Sequence, residues 1–332
     1  MKPTLHYRPL SDKRDDVAGL RTAIASPDYP YQALRQTHEA WVARQHWPLL
    51  GAATQTPSLK LDAQREETLP TRTILALCST QAGSGSSTLG AALAEAWCRQ
   101  GYSVLAVDLN PANTLRLAFT VPYEDPDGWA RRCISNPHGH DWHLAAWKSN
   151  SGVHVMPFGQ TSADGRTHLA AHLALTPGWL QRWLSSLALP NNCRILLVAG
   201  AQEAPFASEA MTQATHVLHL TTPLALFSRA TLPSPRHTWL MNRFDARRPF
   251  DHDALALARS ILQQSLCPIV IHEDTAIQEA LAQLATVIDT APASQSAQDI
   301  LRLAVWLAVR LRAQSDDATH DTLPSPVVLD LT

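Results

Sequence analysis

The chain has 332 residues, a formal net charge of -2 and 17% charged residues, enough for two domains or for one α/β domain with attachments. That charge, with no stripe of arginines, excludes an electrostatic nucleic-acid footprint, and no nucleic-acid partner is expected. No apolar run of about 18 residues occurs, and the opening MKPTLHYRPLSDKRDD lacks an apolar export core; a cytoplasmic protein without direct membrane insertion is expected. The five cysteines (Cys78, Cys98, Cys133, Cys193, Cys267) are far apart with no C-x-x-C, which reads as buried thiols in a reducing compartment.

In chain order, residues 1–50 hold a polar lead and two helical stretches, Asp15–Ser26 and Tyr31–Arg44. Val17, Leu20 and Ile24 fall at helical spacing, Pro27 and Pro30 break between the stretches, and Trp47-Pro48-Leu49-Leu50 closes the unit. So few apolar anchors do not make an independent core, which predicts a small α-helical arm docked on something else. Residues 51–71 are small, polar and proline-bounded, a linker. Residues 72–312 are the main domain, and 313–332 form a polar tail expected to be disordered.

Within the main domain strand-like runs occur at Ile74–Cys78, Val104–Val107, Val153–Met156, Ile195–Val198, His216–Leu220, Thr238–Met241 and Pro268–Ile271. Helical patterns fit Thr88–Arg99, Trp179–Leu187, Asp251–Gln264, Thr275–Leu284 and Asp299–Arg312. Buried runs alternating with amphipathic helices predict an α/β fold, a doubly wound and mostly parallel sheet covered on both faces. The ligand edge of such a sheet is the carboxyl end of its strands.

The first run enters a loop of small residues, Gln81-Ala82-Gly83-Ser84-Gly85-Ser86-Ser87-Thr88, with a helix directly behind it. Glycines and a helix N-terminus are what a phosphate cradle needs. The lysine of G-x-x-x-x-G-K-[ST] is missing, however, and Ser86 stands in its place. Residues 81–88 are therefore the candidate phosphate-binding residues, with no candidate catalytic residue among them. Gly83-Ser84-Gly85 lacks the spacing of a serine nucleophile elbow, and Ala82-Gly83-Ser84-Gly85 does not make G-x-G-x-x-G. His138, His140 and His143 sit close together in a Pro/Gly-rich stretch; a solvated loop is favoured there over a metal site.

The segment QAGSGSSTLGAALAEAWCRQGYSVLAVDLNPANTLRLAF resembles the ParA/MinD class of P-loop ATPases. More narrowly, the ordered phrases Leu115-Arg116-Leu117-Ala118-Phe119, Gly128-Trp129-Ala130, Pro157-Phe158-Gly159-Gln160 and Ile271-His272-Glu273-Asp274 are similar to the BcsQ family, MinD-like accessory proteins of bacterial cellulose synthesis. Asp16, Val17, Leu20, Ala23, Pro27, Asp28, Tyr31 and Trp47–Leu50 resemble BcsR, a short helical partner of that family, so the whole reads as a BcsR–BcsQ fusion. The resemblance implies a homodimer sandwiching ATP, or ADP, with magnesium left open. It also implies docking on the cytosolic side of a cellulose synthase complex (BcsA and BcsE-like subunits), hence peripheral association with the inner membrane.

Carried over residue by residue, the resemblance makes Ser87 a magnesium ligand or, equally, a helix N-cap. Asp108 becomes a carboxylate near the metal, and Asn242 either reads the adenine edge or makes an Asx turn before Arg243. The same comparison shows what is gone. Gln81 replaces the signature lysine, Asn110 the water-orienting Asp, and Ala199 the Walker B Asp. These losses predict a subunit that hydrolyses ATP slowly or not at all. A nucleotide-gated assembly factor and a scaffold that dimerises without nucleotide both remain open.

Overall fold

The computed structural model describes residues 73–122, 124–136, 141–190, 192–227 and 236–320, with side chains through Leu311. The arm (1–50), the linker (51–71), His138, His140 and residues 321–332 lie outside the described residues. In chain order come β1 (Thr73–Ser79), α1 (Ser86–Arg99), β2 (Ser103–Asp108), a 3₁₀ turn at Leu115–Phe119, α2 (Trp129–Ser135), β3 (Trp147–Lys148) and β4 (His154–Met156). Then follow α3 (Ala163–Ala174), α4 (Trp179–Ser185), β5 (Cys193–Ala201), α5 (Ala207–Gln213), β6 (His216–Thr221) and β7 (His237–Phe244). The chain continues through α6 (Pro249–Leu262), β8 (Leu266–His272), α7 (Thr275–Ala282), α8 (Val287–Thr290) and α9 (Gln295–His320).

The strands form one sheet in the order β3-β4-β2-β5-β1-β6-β7-β8. Every pairing is parallel except β3 with β4. Each expected apolar run is a strand, and the reason is burial on both faces. Along β1, Leu75 and Leu77 join the core under α1 and α9, while Ala76 and Cys78 join the core under α2, α4 and α5. On the first face Leu89, Leu93 and Trp97 of α1 meet Ile300, Leu303 and Leu307 of α9. Trp97 is fully buried, and its indole N–H donates to the Ala304 carbonyl at 3.1 Å. On the other face Trp129, Phe158, Trp183 and Phe206 pack edge-on or tilted around one another.

Several boundaries differ from the sequence-based expectation. Helix α1 starts at Ser86 rather than Thr88, because Gly85 is already left-handed at φ +94° and serves as its N-cap. Helix α9 begins four residues before Asp299 and continues to His320, beyond the boundary placed at Arg312. Its apolar stripe through Leu311 anchors the helix, and the polar sequence that follows contains no proline to stop it before His320. Helices α2, α3 and α5 and strand β3 carry too weak a periodicity to be seen in advance; α3 buries only Leu169. No helix among the described residues is long and apolar enough to cross a membrane.

Candidate functional site

The carboxyl end of β1 opens into the small-residue loop, and the loop is held from inside by its own hydroxyls. Ser79 and Ser84 both donate to the Gln81 carbonyl, at 3.0 and 2.9 Å. Gly83 (φ +82°) and Gly85 (φ +94°) occupy the left-handed region, so the backbone can curl there at no side-chain cost. Gln81, Ala82 and Gly83 form an exposed crest, with Ser84 and Ser86 buried beneath. Because Gly85 has no side chain, no side chain caps α1, and its first-turn amides at Ser86, Ser87 and Thr88 face the loop with the positive end of the helix dipole. No acidic residue sits in that first turn. This is a neutral anion cradle.

Among the described residues no lysine is placed to supply the missing charge. Lys148 is the one lysine in 73–320, and it lies on β3, four strands from β1, roughly 19 Å away at the usual strand spacing. Among the described residues, Arg243 is the cation that lines the cavity beside Gly83 and Gly85, a residue given no role in the sequence-based expectation. It follows Asn242, adopts φ +59°, and binds Glu273 through two contacts of 2.9 and 3.2 Å.

Ser87 is the second residue of α1, so the N-cap alternative for it fails. Its hydroxyl accepts from Thr114 Oγ1 at 2.8 Å, linking α1 to the loop after β2. Asp108 is completely buried; one carboxylate oxygen accepts from the Asn110 amide (3.0 Å) and the other from the Leu115 amide (3.1 Å). Burial pushes its carboxyl up to about 7, against the pull of those two amides and of Arg116. Those contacts make Asp108 a brace for its own loop, so of the two expected metal ligands only the Ser87 hydroxyl is reachable. This donor set does not fit a divalent ion held by protein carboxylates. Among the described residues no group of three His, Cys, Asp or Glu could hold one.

Across the loop, β5 bulges where a Walker B carboxylate would stand. Val198 pairs with Leu77 and Gly200 with Cys78, leaving Ala199 as the extra, fully buried residue. Gly200 is left-handed (φ +73°) and lies against Asn110, whose amide nitrogen would be 2.9 Å from an added Cβ. Asn110 itself accepts from the Ala112 amide in an Asx turn. Neither position carries an ionisable group.

Asn242, at the end of β7, donates its amide to the Ser84 carbonyl at 2.7 Å. That bond ties a strand two places from β1 to the phosphate loop. Beside it a cavity of about 200 Å³ runs from Gly83 and Gly85 along α1. Leu89, Ala92, Ile271, Ile277, Leu281 and Ile300 make its walls. Asn242, Arg243, His272, Glu273 and Asp274 gather at its polar end. His272, Glu273 and Asp274, which entered the sequence analysis only as part of a family phrase, all line this cavity.

The comparisons with known proteins agree with this geometry. The family model described as cellulose biosynthesis protein BcsQ matches residues 72–308. The chain belongs to the BcsQ family. It is 29% identical to the BcsQ protein of Salmonella typhimurium over 238 residues, 70% of this chain and 93% of the relative. It is also 30% identical to that of Salmonella typhi over 239 residues, with the same coverage. Among solved structures it is similar to the cell division ATPase MinD of Pyrococcus furiosus (TM-score 0.54, 23% identity, 71% of this chain and 98% of that one). It is likewise similar to the septum site-determining protein MinD of Pyrococcus horikoshii in complex with Mg-ADP (TM-score 0.55, 20% identity, 73% and 98%). At these identities the two structures establish the fold, a MinD/ParA-like P-loop sheet, and nothing finer.

Proposed function

We propose that the chain is a nucleotide-binding but hydrolytically silent accessory subunit of a bacterial cellulose synthase complex, acting as a dimer on its cytosolic side. The observation that carries the reading is a phosphate loop with its backbone cradle kept and every charge removed. The amides of 86–88 and the dipole of α1 favour an anion. The apolar cavity beside Gly83 and Gly85 suits a flat base. A lysine would add a charge-assisted bond of about 1.5–3 kcal/mol, so affinity for ATP should fall roughly ten- to a hundredfold below that of a lysine-bearing loop. Transfer of the terminal phosphoryl group needs far more. Without a lysine, a carboxylate at 199 or a water-orienting carboxylate at 110, none of the family's charged positions among the described residues neutralises the developing charge or positions the attacking water.

The BcsR-like arm fits the same reading as a tethered clamp, since a linker of this length turns docking into an intramolecular step at roughly millimolar effective concentration. With Gln81 in place of the cross-subunit lysine, the dimer would depend on nucleotide only in part, apolar and clamp contacts carrying the rest. One protein sample tests the proposal. Calorimetric titration with ATP should show binding, phosphate release should match the buffer blank, and light scattering should find a dimer with and without ATP. Several turnovers per minute would refute the silent reading, and absence of ATP binding would favour a scaffold that works without nucleotide.

A further inference from the structure

His272 is unlike the other polar residues of the cavity. Its Nδ1 lies 2.7 Å from Asp299 Oδ2, and its own backbone N–H donates to the same oxygen at 3.2 Å. Asp299 is almost fully buried; its other oxygen accepts from Gln295 Nε2 at 2.9 Å, and Arg302 lies 3.6 Å away. A carboxylate accepts hydrogen bonds, so Nδ1 is the ring nitrogen that donates toward Asp299, and in the neutral ring Nε2 is left as the acceptor. The ring is further held edge-to-face by Phe244, with centroids 5.5 Å apart. The side chain keeps 30% of its surface accessible and lines the cavity. A buried partner of this kind does for a histidine what an outer carboxylate does in a metal site: it fixes the tautomer and the ring plane.

The neighbours are already committed. Asp274 caps α7 and accepts from the Ser296 amide and hydroxyl, and Glu273 is bound to Arg243. Asn242 gives one amide hydrogen to the Ser84 carbonyl and keeps the other beside its oxygen. Among the polar groups of an otherwise apolar slot, His272 is thus the one whose ring is fixed by a buried carboxylate.

We propose that His272, oriented by Asp299, is the specificity-determining residue of this cavity, accepting from the amino group of a 6-aminopurine and disfavouring the 6-oxo counterpart. The proposal rests on the nucleotide reading above. An oxo group turned toward His272 Nε2 would set two lone pairs against each other, leaving both acceptors unpaired on binding.

The test is calorimetric titration of the full chain with ATP and with ITP, which differ at that edge in the 6-substituent and in the proton the 6-oxo base carries on N1. ATP should bind about tenfold more tightly, the worth of one net hydrogen bond. His272→Ala should abolish the difference, weakening ATP while ITP holds or gains as the opposed lone pair is removed, and His272→Gln, whose amide can turn either its oxygen or its N–H to the base, should bind both. Circular dichroism of each variant verifies that it is folded. If ATP and ITP bind the wild type equally, or if His272→Ala weakens both alike, the selection by His272 is overturned and the nucleotide reading stands. If neither binds, both fall.

Discussion

Gly85 carries two constraints at once, which makes it the sharpest probe of the loop. It is left-handed at φ +94°, and an added Cβ would lie 2.8 Å from Asn242 Nδ2, the atom that donates to the Ser84 carbonyl. Gly83 is left-handed too, at φ +82°, but an added Cβ there meets nothing within 4 Å. Gly83→Ala therefore reports the backbone term alone, about 1–2 kcal/mol. Gly85→Ala adds the displaced Asn242 bond, about 1 kcal/mol more, for a total of roughly 2–3 kcal/mol. For a domain of this size, at about 3 °C per kcal/mol, the expected Tm losses are about 4–5 °C for Gly83→Ala and about 7–8 °C for Gly85→Ala. Thermal melts of both variants, of Asn242→Ala and of the Gly85→Ala/Asn242→Ala pair would measure this. The double mutant should lose about 1 kcal/mol less than the sum of its singles, because the methyl group no longer has an amide to displace. Equal losses at 83 and 85, or strict additivity, would refute the idea that β7 holds the loop through this bond.

The remaining predictions concern charge and the arm. Burial raises the Asp108 carboxyl from 3.8 to about 7 in the folded chain; its stabilising contribution is complete below pH 3.8 and is lost as pH rises through 7, on the order of 4 kcal/mol. Denaturant titrations at about pH 4.5 and about pH 8 should show Asp108→Asn gaining on the wild type at the higher pH, and a gap independent of pH would sink the argument. His219, buried and pushed down to about 3, drives stability the opposite way, but it is common to both proteins and cancels in the comparison. A chain beginning at residue 72 should melt lower and be less soluble than the full chain if the arm docks, with Trp47→Ala and Leu50→Ala giving much of the same loss. Unchanged melting and solubility would mean the arm is an independent tail. Adding the missing cation alone, by Ser86→Lys, should tighten ATP binding without restoring phosphate release, since positions 110 and 199 stay uncharged.

The sheet was legible in the sequence because a strand buried on both faces must be apolar along its whole length. Leu75-Ala76-Leu77-Cys78 and Ile195-Leu196-Leu197-Val198 announce themselves without any partner in view. The phosphate loop was legible for a related reason: glycines before a helix are a backbone requirement, local to a few residues. The missing lysine at 86 could be read from the spacing of the loop motif, whereas the losses at 81, 110 and 199 became visible through the family resemblance. Tertiary structure decided everything that depends on who faces whom. Asp108 is a carboxylate near the metal by resemblance, and only the fold shows that each of its oxygens accepts from an amide of its own loop. Asn242 and Ser84 are 158 residues apart and meet only because β7 lies two strands from β1. His272 gains a fixed tautomer from Asp299, 27 residues later, once α9 packs back beside the end of β8. Hydrogen bonds between elements depend on packing that no local pattern encodes, whereas burial and backbone curvature leave their mark on each residue separately.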